Sequence, residues 1–205
     1  MFITGYCSIR NFSIGTGDGQ LFSGDGQSLP EFTESALDHF SIAYPKFYKM
    51  DLMSRLGVLA AEILLKDKRL PERYDSTQVS LVLANASASL DTDKRYAETM
   101  KTIPSPALFV YTLPNIVSGE ICIRHGIRGE NAFFVLPEFD AGVIADYTDA
   151  VMATGKTLAC ISGWVEVMGK QHDVFLYLTE KLNTGRGIEH TASNLRTLYS
   201  DLWKN

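Results

Sequence analysis

Cysteine is scarce in this 205-residue chain, with only Cys7, Cys122 and Cys160. An odd count, wide spacing and no C-x-x-C pair exclude a disulfide framework and a structural zinc site. The expectation is reduced, buried thiols in a cytoplasmic protein. An excess of basic charge is also missing. Nineteen Lys and Arg face 24 Asp and Glu, for a net charge of -5. No Lys/Arg cluster builds a phosphate-binding face, which argues against nucleic acid and against an anionic membrane surface. No apolar run approaches the ~20 residues of a membrane span. The opening MFITGYCSIR has no basic segment followed by a long apolar one, so no signal peptide is expected. Only the short GDGQ repeats, at 17–20 and 24–27, and that is too little for a solenoid.

Several catalytic signatures are absent as well. There is no Gly-x-Ser-x-Gly elbow, and no Ser-His-Asp triad can be assembled. His39, His125, His172 and His190 have no ligand spacing, so neither metal nor cofactor is expected. His125 reads as a capping or surface residue. Gly155-Lys-Thr157 resembles the tail of a P-loop, but Ala150 stands where that loop needs glycine. The order of strand and helix around it is also reversed.

The elements that are present alternate. Phe2–Tyr6 reads as a strand, and residues 15–30, dense in Gly, Asp and Ser, as a turn or hairpin tip. Its aspartates are too few and wrongly ordered for an EF-hand calcium loop. Residues 49–66 form the clearest helix, with Met50, Met53, Leu56, Leu59, Ala60, Ile63 and Leu64 on one side. Gly57, Ala60 and Ala61 suit close packing. A polar link over 70–75 leads to a strand at 79–83. Asn85-Ala-Ser87 spells a glycosylation acceptor, but a strand end is the expected reading. A helix capped by Asp91 runs to about Met100, and Pro104 and Pro106 break it. Pro114 opens a helix with Val117, Ile121, Cys122 and His125 inward and Gly126 just past its end. The strand at 132–136 is continuously apolar and reads as buried on both faces. Asp140 caps a helix to Thr154. Strands at 157–161 and 174–178, joined by a short Gly-containing link, should be antiparallel. Thr191 caps a last helix with Leu195, Leu198, Leu202 and Trp203 inward. This order predicts a single α/β domain over residues 1–205, with a five-stranded, mixed, mostly parallel sheet flanked by helices.

Local patterns in the same order resemble the N-terminal half of a beta-ketoacyl synthase, a thiolase-fold condensing enzyme. Phe2-Ile-Thr-Gly5 is similar to the family's opening strand, and Lys49-Met-Asp51 to the start of its first long helix. Asn115 with Gly119 is similar to the Asn-x-x-x-Gly of its buried helix. Gly126-Ile-Arg-Gly129 resembles its Gly-Leu-Arg-Gly corner, and Ser162-Gly-Trp-Val-Glu166 its Ala-Gly-Gly-x-Glu strand. From Asn115 to Glu166 the register needs no gap.

That register places Glu138 at the family's nucleophile position, where Cys-x-Ser-Gly becomes Glu138-Phe139-Asp140-Ala141. A carboxylate does not replace the thiolate: an anhydride would hydrolyse, whereas a thioester can be attacked again. The family's histidine pair belongs to the C-terminal half, which the chain is expected not to reach. Chain-length factors are paralogues that lack the cysteine and pair with an active partner. The resemblance therefore implies a non-catalytic accessory subunit of fatty-acid- or polyketide-type synthesis, with aryl-polyene pigment pathways included. It would pair with a condensing enzyme or an acyl carrier protein. The alternatives are an acyl-thioester enzyme completed by a partner, and a structural homodimer without acyl ligand.

Glu138 has two readings, an acid of raised pKa at a tunnel mouth or an exposed turn residue. Cys160-Ile-Ser-Gly163 also spells Cys-x-Ser-Gly, but no helix follows to activate it, so a buried strand cysteine is expected. In the family the strand holding Ala132, Phe133, Phe134, Val135 and Leu136 pairs across a dimer two-fold. The resemblance thus implies a homodimer or a heterodimer with a ketosynthase through this strand. The other reading is an internal strand with no such role.

Overall fold

A computed structural model describes residues 1–24, 26, 28–181 and 187–201. One mixed sheet runs through it in the order β3-β2-β1-β7-β6-β4-β5. Its strands are β1 (Phe2–Arg10), β2 (Ser13–Thr16), β3 (Gly19–Ser23), β4 (Val79–Asn85), β5 (Asn131–Val135), β6 (Ala159–Met168) and β7 (Gln171–Glu180). A short β8 (Ile188–Glu189) pairs with the start of β1. All five expected strands are present. β5 and β6 flank β4 in parallel, while β7 lies antiparallel to both β6 and β1. Of those five, therefore, only β7 runs against the rest. The sheet is larger than the expected five strands because β2, β3 and β8 extend it around β1.

The β2–β3 hairpin occupies the expected turn region, and the helix α1 (Leu29–His39) after it escaped the sequence reading. Its signal was present. Ser28 and Glu31 form a capping box, and Pro30 sits in the first turn.

Helix α2 (Leu52–Leu65) lies on one face of the sheet. Asp51 caps it, accepting from the Ser54 amide at 3.0 Å, so Lys49 falls outside the helix, in a 3-10 turn over Pro45–Lys49. Leu56 and Leu59 are fully buried, and each contributes about 1.5–3 kcal/mol by leaving water. The buried helix α6 (Ile116–His125) packs against α2 at Gly57. A Cβ there would lie 2.4 Å from Val117 Cγ2, so only glycine permits this approach. The expected polar link at 70–75 holds a one-turn helix, α3 (Leu70–Arg73). Two helices, α4 (Leu90–Thr99) and α5 (Pro106–Phe109), precede α6. Gly126 ends α6 in the left-handed region, as expected.

Helices α7 (Ala141–Ala153) and α8 (Ala192–Asp201) cover the opposite face. Successive β6 residues alternate between the two cores. Ile161 and Val165 meet α2 and α6, whereas Trp164 joins Ile144 and Leu195. The inward packing expected of Leu195 is observed, and Leu198 packs against the same cluster. Leu202 and Trp203 lie outside the described residues. None of the described helices is long and apolar enough to cross a membrane.

β6 and β7 form a long hairpin, Met168 opposite Gln171, turning at Gly169 and Lys170. Within it, Gly163 has φ 153, and a Cβ would stand 2.0 Å from the Phe175 carbonyl oxygen. The glycine of the Ser-Gly-Trp-Val-Glu pattern is thus set by the close approach of two backbones.

Two expectations fail. Asp91 lies inside the first turn of α4, whose N-cap is Ser89. β5 is not buried on both faces. It ends the sheet, its central residues are half-buried, and Val135 is 54% exposed. An apolar run of this length fits a central strand and a covered edge equally well, and only the sheet order separates them.

Candidate functional site

The chain turns from β5 into α7 through Leu136, Pro137, Glu138, Phe139 and Asp140. The Leu136 amide donates to the Asn85 carbonyl at 2.9 Å, which ties this elbow to the exit of β4. Asn85, fully buried, closes that exit by accepting from the Ala88 amide and donating to its carbonyl. Glu166 of β6 accepts from the amides of Ala86 and Ser87 at 2.7 and 3.0 Å. The motif glutamate therefore positions the loop beside the elbow.

Glu138 is exposed, which fits its reading as a turn residue. Asp140 does what its sequence position predicts. Its Oδ1 accepts from the amides of Gly142 and Val143 at 2.8 and 3.0 Å. The electropositive end of α7, where a nucleophile or an oxyanion would draw stabilisation, is met by this internal carboxylate.

Phe139 points the other way, into the protein. Its ring stacks on Tyr199 of α8, with centroids 3.8 Å apart and planes at 12°. It meets Phe175 and Trp164 edge-on at 5.8 and 6.2 Å. Arg10, 6% exposed, holds Tyr199 in place. Its Nη1 donates to the Tyr199 carbonyl at 2.8 Å, and its guanidinium lies 4.1 Å from the ring centroid. Asp173 accepts from both Arg10 Nε and the Tyr199 hydroxyl. Burial, then the bond to Asp173, pushes the Tyr199 hydroxyl pKa upward. Sequence reasoning missed this group. Arg10 and Asp173 are partners across the β1–β7 register, 163 residues apart, and no local pattern signals such a pair.

Cys160 lies elsewhere. It sits near the start of β6, opposite Ser80, whereas the elbow adjoins the end of β4. The two candidate nucleophile positions are thus at opposite ends of the sheet. Cys160 is fully buried beside Val82 and Met152, with Ser162 Oγ at 3.3 Å. Burial pushes its thiol up to about 12. Burial also raises the pKa values of Cys7 and of the half-buried Cys122. Among the described residues, no thiol is set up to ionise near neutral pH.

His190 accompanies this interior. Its Nδ1 is 2.7 Å from Asp149 Oδ1, and its Nε2 is 3.3 Å from the buried Tyr177 hydroxyl. His125 is half-buried in the last turn of α6, 3.8 Å from Glu62.

Comparison with known proteins follows this geometry. The sequence model described as the N-terminal domain of beta-ketoacyl synthase matches residues 24–135, more than half of the chain. No curated protein matches. Among solved structures, the ishigamide ketosynthase/chain length factor superposes with a TM-score of 0.68 at 14% identity, covering 91% of this chain and 63% of its own. A type II PKS acyl-carrier protein in complex with its ketosynthase gives 0.60 at 14% identity, covering 88% of this chain and 63% of the other. A complex of the ketosynthase ApeO with its chain length factor ApeC, from Xenorhabdus doucetiae, gives 0.55 at 13% identity, covering 98% of this chain and 92% of the other. The chain thus spans less than two thirds of the first two. At these identities the likeness establishes the fold.

Proposed function

Because the chain belongs to the beta-ketoacyl synthase family by its match to the N-terminal domain, we propose that it is a non-catalytic accessory subunit of a condensing enzyme. The observation that carries this reading is the filled elbow. Glu138 faces solvent, Asp140 occupies the helix end, and Phe139 fills the space behind it. Condensation needs a nucleophile that forms a thioester and donors that stabilise an oxyanion. The elbow offers neither, and Cys160 is sealed at the other end of the sheet. The reaction class served is acyl-chain elongation of the fatty-acid or polyketide type, which includes aryl-polyene pigment synthesis.

The partner we propose is a ketosynthase, joined through the free edge of β5. Ala132, Phe133 and Phe134 are half-buried there, and Val135 is exposed. An apolar edge strand without charge along its centre is a liability unless it is covered. Pairing with an equivalent strand across a pseudo-two-fold would cover it. The similarity to complexes of a ketosynthase with a chain length factor or a carrier protein supports the choice.

The test is co-expression with a candidate ketosynthase, followed by light scattering and incubation with a mass-tagged acyl carrier thioester. The expected result is a one-to-one complex, lost in Val135→Lys, with no label on Cys7, Cys122 or Cys160. A labelled cysteine would favour an active enzyme completed by its partner. A homodimer indifferent to the synthase would favour a structural dimer. A monomer throughout would remove the role of β5.

A further inference from the structure

A cleft of about 550 Å³ lies between the end of α2, α3 and the glycine corner after α6. Val79, the first residue of β4, lines it, whereas the elbow adjoins the last residue of that strand. The cleft is therefore at the opposite end of the sheet from the elbow, and what it binds does not depend on the function proposed above.

Its walls divide by chemistry. Leu70, Val79 and Ile127 form a floor, each less than 8% exposed. Lys66, Arg69 and Arg124 stand around it, against one wall carboxylate, Asp75. Arg124 is committed, since it donates to Glu62 and lies over the Tyr44 ring. The other two are available. The Lys66 side chain makes no ion pair or hydrogen bond among the described residues. Arg69 reaches only Glu72, at 3.6 Å, with both side chains largely exposed.

Cations at helix C-termini are favoured by the helix dipole, and that alone accounts for Lys66 at the end of α2 and Arg124 in the last turn of α6. It does not account for Arg69. This residue begins α3 in the left-handed region, at φ 49, with no side-chain cap. Few residues other than glycine or asparagine take that conformation readily. Its side chain stands on the rim of the cleft, where its ion pair among the described residues is the long, exposed contact to Glu72.

We propose that this cleft binds a small amphiphilic anion. Its carboxylate or phosphate head would lie between Lys66 and Arg69, and its apolar tail on Leu70, Val79 and Ile127. The volume falls within the range of small-molecule sites, roughly 300–1,000 Å³, and the division into apolar floor and few charged groups is typical of them.

The experiment is an amide-resolved NMR titration of the whole chain with octanoate, octyl phosphate and inorganic phosphate. Both amphiphiles should give saturable shifts at Ser76, Gly126 and Ile127, and the tighter of the two identifies the head group. The Lys66→Ala/Arg69→Ala variant removes only exposed side chains and should retain the native spectrum elsewhere. It should weaken binding by about tenfold or more, the scale of a lost charge-assisted contact. Inorganic phosphate binding as tightly as the amphiphiles, affinity unchanged in the variant, or no saturable shift at millimolar ligand would each overturn the proposal.

Discussion

Replacing Phe139 with alanine tests the filled elbow directly. The ring stacks on Tyr199 and contacts Trp164 and Phe175 edge-on. Truncating a buried phenylalanine costs about 3–5 kcal/mol through lost transfer energy and the cavity left behind. Phe139 is only partly buried, which lowers that figure, while an aromatic pair adds about 0.5–1.5 kcal/mol beyond area. The reduction for partial burial outweighs the aromatic increment, so the expected loss is about 3 kcal/mol, the lower end of that range. In a domain of this size each kcal/mol lowers the melting temperature by about 2–4 °C, and the fall should be near 6–12 °C. Urea denaturation should show a lower midpoint with an unchanged slope, because the surface exposed on unfolding is nearly the same. A double-mutant cycle with Tyr199→Ala should return a coupling of about 1 kcal/mol. A loss below about 1 kcal/mol, in the range of ordinary surface changes, together with zero coupling, would mean that the ring is not packed. The space behind the elbow would then be open, and the filled-elbow argument would fail.

Gly163→Ala should be more severe than its size suggests, since its Cβ would meet the Phe175 carbonyl at 2.0 Å at φ 153. A loss of about 3 kcal/mol or more is expected, from strain and overpacking together, read as a collapsed urea midpoint or insoluble expression. Ellman's reagent should label Cys122 first in the native protein, with buried Cys7 and Cys160 reacting only on unfolding. Rapid native labelling of Cys160 would contradict its burial. Acid should destabilise the fold in the range where histidine titrates. Burial lowers the pKa values of His125, His172 and His190 below the ordinary 6.5, so between each folded value and 6.5 the unfolded chain binds more protons. Stability is therefore fully present above about pH 6.5 and falls as pH drops towards the folded values. His190→Gln should flatten part of that slope, and a urea midpoint unchanged between pH 7.5 and 5 would refute it.

Much of this site could be read along the chain. The cap at Asp140, the corner at Gly126 and the glutamate at the elbow each depend on neighbours a few residues away, whereas the need for glycine at 57 comes from Val117 on another helix. The capping box of α1 is equally legible at Ser28 and Glu31, although the glycine-rich hairpin before it masks the helix start. What packs behind the elbow was not legible, because Phe139, Trp164, Phe175 and Tyr199 come from four separate elements.

The amino-acid order by itself determined the alternation of strands and helices, the exposed turn at Glu138 and the buried state of Cys160. Periodicity, capping and local spacing are short-range properties, and they are written where they act. Tertiary structure alone decided that β5 stands at the edge, that Arg10 meets Asp173, and that Arg69 and Lys66 share a cleft with Ile127. Those are long-range juxtapositions, fixed when the sheet chooses its strand order to bury two apolar faces at once, and no local window of sequence contains them.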